Sequence, residues 1–194
     1  MFFNNCKNSK WGADDELGAA NYMNENRTKL AAQLVKKGQT HPLGIVINNK
    51  TPAFPPRALS LTVVSPTQYT GDSKYGWQMN YLDDILTTWV GIGSQIDGLG
   101  HLGEGNMLYN CNESKKIANM TGLTKMGVHN IPPMVARGVV IDMAKHFGVS
   151  YMEAGQAIYA KDLKQAIKNQ NIKLKKGDVI LIHTGWTDGK FDTD

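Results

Sequence analysis

Cysteine, long apolar runs and blocks of like charge are all scarce in this chain of 194 residues. Its two cysteines, Cys6 and Cys111, are too few for a disulfide framework and too far apart for a Cys-x-x-Cys site. Two unrelated thiols are therefore expected. No apolar run approaches ~18 residues, which argues against a membrane-spanning helix. The start, Met-Phe-Phe-Asn-Asn-Cys-Lys, lacks the long apolar core of a secretory leader, so a cytoplasmic location is expected. Arginine-rich tracts are missing too, and a net charge of +4 with scattered lysines does not point to nucleic acid. Neither an internal repeat nor a linker is visible. One soluble globular domain spanning residues 1–194 fits a hydrophobic content of 41% and a charged content of 20%.

Periodic segments and turn signals describe a mixed α/β chain. Asn24 is placed to cap a helix running to about Lys37, with Leu30, Leu34 and Val35 inward and Gly38 as the stop. Leu43 to Ile47 reads as a strand. Next comes a stiff loop with three prolines around Phe54, ending at Arg57. Either Phe54 tucks into the core of a rigid connector, or Phe54 and Arg57 stand at the rim of a pocket. Leu59 to Val64 and Asp83 to Val90 read as strands, separated by a polar excursion over 65–80. Residues 103–128 form a long polar loop, with Met107 and Tyr109 near the central motif, and loops of this length often cover sites. Arg137 to Met143 and Val179 to His183 are near-continuous apolar runs, suited to strands buried on both faces. Between them a helix from Ala160 to about Gln170 turns Leu163, Ala166 and Ile167 inward. His41 and His146 are expected to be exposed.

The densest stretch is Gly91-Ile92-Gly93-Ser94-Gln95-Ile96-Asp97-Gly98-Leu99-Gly100-His101. As an extended run it would bring Gln95 and Asp97 to one side of a strand, since side chains two apart share a face. A glycine-rich turn follows, and His101 lies just beyond it. Polar groups converging at a strand end make a small-molecule or metal site. The plainer alternative is a loop in which Asp97 caps a turn and His101 lies on the surface. His183, ending its own strand beside Thr184-Gly185, is a further candidate to face a pocket.

This stretch resembles the signature His-x-Gly-Thr-His-x-Asp-x-Pro-x-His of the cyclase family, the group that includes bacterial kynurenine formamidases and isatin hydrolases. Gly93 and Ser94 take the Gly-Thr places, Asp97 the aspartate, and His101 the last histidine. Gly91 stands at the first histidine, Gln95 at the second and Leu99 at the proline. The opening Trp11-Gly12-Ala13-Asp14-Asp15-Glu16-Leu17-Gly18-Ala19-Ala20-Asn21 is similar to the Trp-Gly-x-Asp-Asp-x-x-Gly-x-x-Asn opening of a Gln-variant branch. The turn, apolar strand and Thr-Gly around Val179–Gly185 resemble the family as well.

The resemblance implies the family's swivelling β/β/α fold with a mixed β-sheet core. It also implies a homodimer or homotetramer and a small-molecule substrate. The implied activity is metal-dependent hydrolysis of a cyclic or N-acyl amide C–N bond by metal-activated water. Carried over residue by residue, Asp97 becomes a metal ligand, Gln95 a replacement ligand through its amide oxygen, and His101 the proton-transfer group. Phe54, Arg57 and His183 are the candidate substrate contacts. Without two imidazoles the donor set suits a hard ion, Mn²⁺ or Mg²⁺, better than Zn²⁺. The family's C-terminal His/Glu ligands have no counterpart in these residues. The competing expectation is therefore a catalytically incomplete protein on the same fold, able to bind small molecules without metal-dependent turnover.

Overall fold

A computed structural model describes residues 6–64 and 82–190, with the Lys190 side chain excepted. The expected excursion over 65–80 lies outside the described residues. Two compact units are present, one of residues 40–95 and one joining the chain up to Gln39 with the chain from Ile96 onward.

In the 40–95 unit, β1 (Leu59–Val64) and β2 (Asp83–Thr88) pair antiparallel from Leu59↔Thr88 to Val64↔Asp83. Alternation of β-branched and leucine residues favours this extended state. Leu43 to Ile47, expected to be a strand, has no ladder partner among the described residues and stays irregular, with Leu43 and Val46 exposed. A side chain meets β1 instead. The Asn49 carboxamide donates to Leu61 O at 3.0 Å and accepts from Leu61 N at 2.6 Å, imitating a neighbouring peptide group.

The other unit begins with α1 (Glu25–Ala32), which Asn24 caps by accepting from Arg27 N. It is shorter than expected. Leu34 N and Val35 N turn back to Ala31 O and Ala32 O, and Leu30, Leu34 and Val35 are exposed rather than inward. A short helix with no apolar face to bury has only propensity to hold it, which is marginal in water.

The expected long loop contains α2 (Ser114–Ile117) and the small hairpin of β3 (Ala118–Asn119) with β4 (Gly122–Leu123). Beyond it, β5 (Gly138–Asp142) runs parallel to β6 (Val179–His183) in the register Gly138↔Val179 to Asp142↔His183. The crossover carries α3 (Met143–Phe147) and α4 (Ala160–Asn169). Ile141, Met143, Met152 and Ala166 form the buried cluster, flanked by Phe147, Ile158, Leu163, Ile167 and Ile172. The inward face expected for α4 is thus present. Burial of the strands on both faces is not. Val140 is 54% exposed and Ile182 47%, because among the described residues the buried cluster packs on one face of this pair.

Arg137 and Asp178 clamp the mouth of the crossover with two bonds, Nε to Oδ1 at 3.0 Å and Nη2 to Oδ2 at 2.6 Å. Arg137 holds the Asp178 carboxyl below its ordinary range. After β6, Thr184 O accepts from Met152 N, and Gly185 turns at φ +68°. A Cβ at Gly185 would lie 2.2 Å from Ser150 O, so glycine is fixed there by steric need. The last element, α5 (Trp186–Lys190), follows at once. Among the described residues no helix is long and apolar enough to cross a membrane.

The cysteines depart furthest from expectation. Cys6 and Cys111 form a disulfide with Cα atoms 5.6 Å apart, across a sequence separation of 105. Sequence spacing carries no trace of such a long-range pair. In the chain-entropy view, closing a loop of that length stabilises the folded state by ~4–5 kcal/mol.

Candidate functional site

The stretch from Gly91 to Asp97 contains no strand, contrary to expectation. Gly93 adopts φ +73°, with Ile47 against its open side, and the chain bends where an extended run would have been needed. Gln95 ends one compact unit and Asp97 lies near the start of the other segment, so the shared strand face is lost.

In the unit that holds them, Asp97 and His101 come together across a turn closed by His101 N donating to Gly98 O at 3.0 Å. Asp97 Oδ1 and His101 Nε2 are 3.9 Å apart, each side chain about half exposed. They line a hollow of about 360 Å³ with Gly98, Leu99, Leu102 and Tyr109. Its walls are aliphatic and aromatic, with a carboxylate and an imidazole among them. Such a mixture suits a small organic ligand with one polar reacting group.

The opening motif builds the back of this hollow. Asp15 Oδ2 accepts from Tyr109 Oη at 2.6 Å, from Gly18 N at 3.0 Å and from Ser9 Oγ at 3.1 Å. Its Oδ1 accepts from Asn21 Nδ2 at 2.5 Å. Gly18, at φ +54°, presses so closely on Leu99 that a Cβ would lie 2.9 Å from Leu99 Cδ1. Buried Asn110 donates to the carbonyls of Gly12, Ala13 and Asp15 and accepts from Ser9 N at 2.7 Å. Glu16 accepts from Met126 N at 2.6 Å. The acidic opening is therefore a scaffold for Tyr109. Sequence reading placed Tyr109 near the motif and missed this anchoring, whose signal is the recurrence of Asp15, Gly18 and Asn21 in the opening pattern.

These bonds have a measurable electrostatic consequence. Burial pushes the Asp15 carboxyl up, but hydrogen bonds from Tyr109, Asn21, Gly18 and Ser9 outweigh it and hold the pKa at about 2. A depressed carboxyl adds stability above its unfolded pKa of about 4 and loses it as pH falls towards 2. Urea midpoints taken from pH 6 to pH 2 are expected to reveal about 1–2 kcal/mol from this source. That increment should be missing from the Asp15→Asn variant. Equal acid sensitivity in both proteins would contradict it.

In the 40–95 unit, Arg57 Nη1 donates to Gly91 O at 2.9 Å. A Cβ at Gly91 would lie 2.6 Å from both Arg57 Nη1 and Gln95 Oε1. The place of the motif's first histidine is thus taken by the ends of Arg57 and Gln95. Phe54 is 75% exposed, at odds with a core role.

His183 is not among the residues that line the hollow. Its Nδ1 faces Asp142 Oδ1 at 3.1 Å and its Nε2 faces Asp188 Oδ2 at 3.6 Å. The hydrogen bond to Asp142 raises the imidazole's pKa above its ordinary value. Asp142 in turn caps α3 by accepting from Lys145 N, and that bond is the main cause of its lowered pKa. The pairing of two strand-end residues was not read from sequence, although β5 and β6 both end on a polar residue after an apolar run. His41 and His129 are exposed, and His146 stacks edge-on against Phe147.

A divalent ion fits these donors poorly. Asp97 and His101 are two, whereas catalytic zinc sites use three protein ligands. Among the described residues no cluster of three or more His, Cys, Asp or Glu side chains could hold a metal.

Comparison with known proteins agrees with this architecture. The model of the family described as Putative cyclase matches residues 40–194. A crystal structure described as a novel cyclase superposes with a TM-score of 0.84 at 34% identity, covering 95% of this chain. The chain spans 63% of that protein's length. No curated protein matches. By its family match, its fold and its motif residues, the chain belongs to the cyclase family.

Proposed function

We propose that the chain serves hydrolysis of a cyclic or N-acyl amide, with His101 as the proton-transfer group. The observation that carries this reading is the facing of Asp97 and His101 in one hollow, at the motif's aspartate and last-histidine positions. The His101 imidazole, 3.9 Å from the Asp97 carboxylate, takes a proton from the attacking water. Water oxygen bonds to the carbonyl carbon and the C–N bond breaks. His101 returns the proton to the leaving nitrogen, giving an acid and an amine from an N-acyl amide, or both groups on one opened chain from a cyclic amide. Leu99, Leu102 and Tyr109 supply apolar wall against which a small substrate can lie. Family resemblance implies a divalent ion as well. Two donors do not make its site.

A second reading is a cyclase-fold binding protein without turnover. Crowding of Gly91 by Arg57 and Gln95 favours it, because the first imidazole of the motif cannot be restored without displacing both. One assay separates the two. Formanilide and a simple lactam are incubated with the protein, with EDTA or with added Mn²⁺, Mg²⁺ or Zn²⁺, and carboxylate release is followed alongside Asp97→Asn. Turnover that falls at least tenfold in the variant supports the hydrolase. Binding without turnover under every condition supports the alternative.

A further inference from the structure

We propose that Tyr109 is a third residue of the Asp97–His101 site and that the Cys6–Cys111 disulfide sets its position, making the hollow redox-responsive. Three observations converge on the turn from Tyr109 to Cys111. First, its backbone is costly: Asn110 at φ 55° and Cys111 at φ 62° are consecutive non-glycine residues in the left-handed region. Such conformations persist only where surrounding structure over-determines them, and they gather at functional sites. Second, the restraints here come from the opening segment, through the disulfide at Cys111, the Asn110 bonds to Ser9, Gly12, Ala13 and Asp15, and the Asp15 bond to Tyr109. Third, the residue at the head of this turn lines the hollow with His101.

The hydrogen bonds orient Tyr109 only while the opening segment stays docked. Cys6 is the covalent tether of that segment, three residues before Ser9, whose hydroxyl lies 2.7 Å from that of Tyr109. A dithiol reductant transfers two electrons and two protons. The Sγ–Sγ bond breaks, Cys6 and Cys111 become thiols, and the reductant closes its own disulfide. Freed of the tether, the strained turn relaxes and the Tyr109 ring leaves the wall beside His101. Disulfides persist in oxidising compartments, so this tether also bears on where the protein works. The proposal rests on the hydrolase reading only in treating the hollow as the site. Its test reads no catalysis, so either can fail without the other.

The full chain is labelled with 3-fluorotyrosine and followed by ¹⁹F NMR, with the Tyr109 signal assigned from Tyr109→Phe. The His101 ring proton is assigned from His101→Gln, and thiols are counted with Ellman's reagent. Before reduction no free thiol is expected. After dithiothreitol, two thiols appear and the Tyr109 and His101 signals both shift. The Tyr151 and Tyr159 signals, which report on the β5–β6 crossover, stay in place. Cys6→Ser with Cys111→Ser gives the reduced spectrum without reductant. Two thiols in the untreated protein would overturn the proposal. So would full reduction with either the Tyr109 or the His101 signal unmoved, or movement of Tyr151 and Tyr159 as well, which would signify general unfolding.

Discussion

Hydrolysis of a responsive amide by His101→Ala is expected to run about 10²–10⁴-fold slower than by the parent protein, the usual contribution of a positioned acid–base group. Little else should change. The His101 side chain is half exposed, and its backbone N–H keeps its bond to Gly98 O whatever side chain it carries. The thermal midpoint should therefore stay within a degree or two of the parent, roughly as for an exposed substitution. Rate and midpoint measured on the same preparation separate a chemical role from a structural one. An unchanged rate in a folded variant would remove His101 from the mechanism.

The converse profile is expected at Asn110. Its carboxamide meets four backbone groups in a buried setting, three carbonyls and the N–H of Ser9. Alanine leaves these groups without their partner and takes a left-handed backbone that asparagine tolerates better. Asn110→Ala is expected to lose about 2–4 kcal/mol, or roughly 5–15 °C of thermal midpoint for a chain of this size. Asn110→Gly removes the backbone penalty and keeps the lost bonds, so it should recover about 1 kcal/mol of the deficit. Urea unfolding of both variants checks the order. If Asn110→Ala matched the parent, the opening segment would not depend on this carboxamide.

These two positions also mark what the sequence made legible. β5, α4 and β6 could be read because apolar periodicity and turn chemistry agree over long segments, and one buried cluster joins them. Asp97 and His101 could be paired because only a glycine turn separates them. Failures arose where the deciding partner is distant or missing. Leu43 to Ile47 has strand composition but no ladder partner among the described residues, and α1 ends where Leu34 and Val35 stay exposed. The Cys6–Cys111 bond joins residues 105 apart, beside the hydrogen bonds of Asn110 and Asp15 that hold the opening segment to the Tyr109 turn. Gly93 broke an alternation that hydropathy alone presented as continuous.

Asn49 has a consequence for behaviour at high concentration. The outer side of a two-stranded ribbon is an open template on which another molecule can add its own backbone, the first step towards a fibril. By engaging both peptide groups of Leu61, the Asn49 carboxamide interrupts the outer row of β1 near its middle, so a strand adding on that edge meets no continuous row there. One amide thus takes the place of a strand on that side of the ribbon.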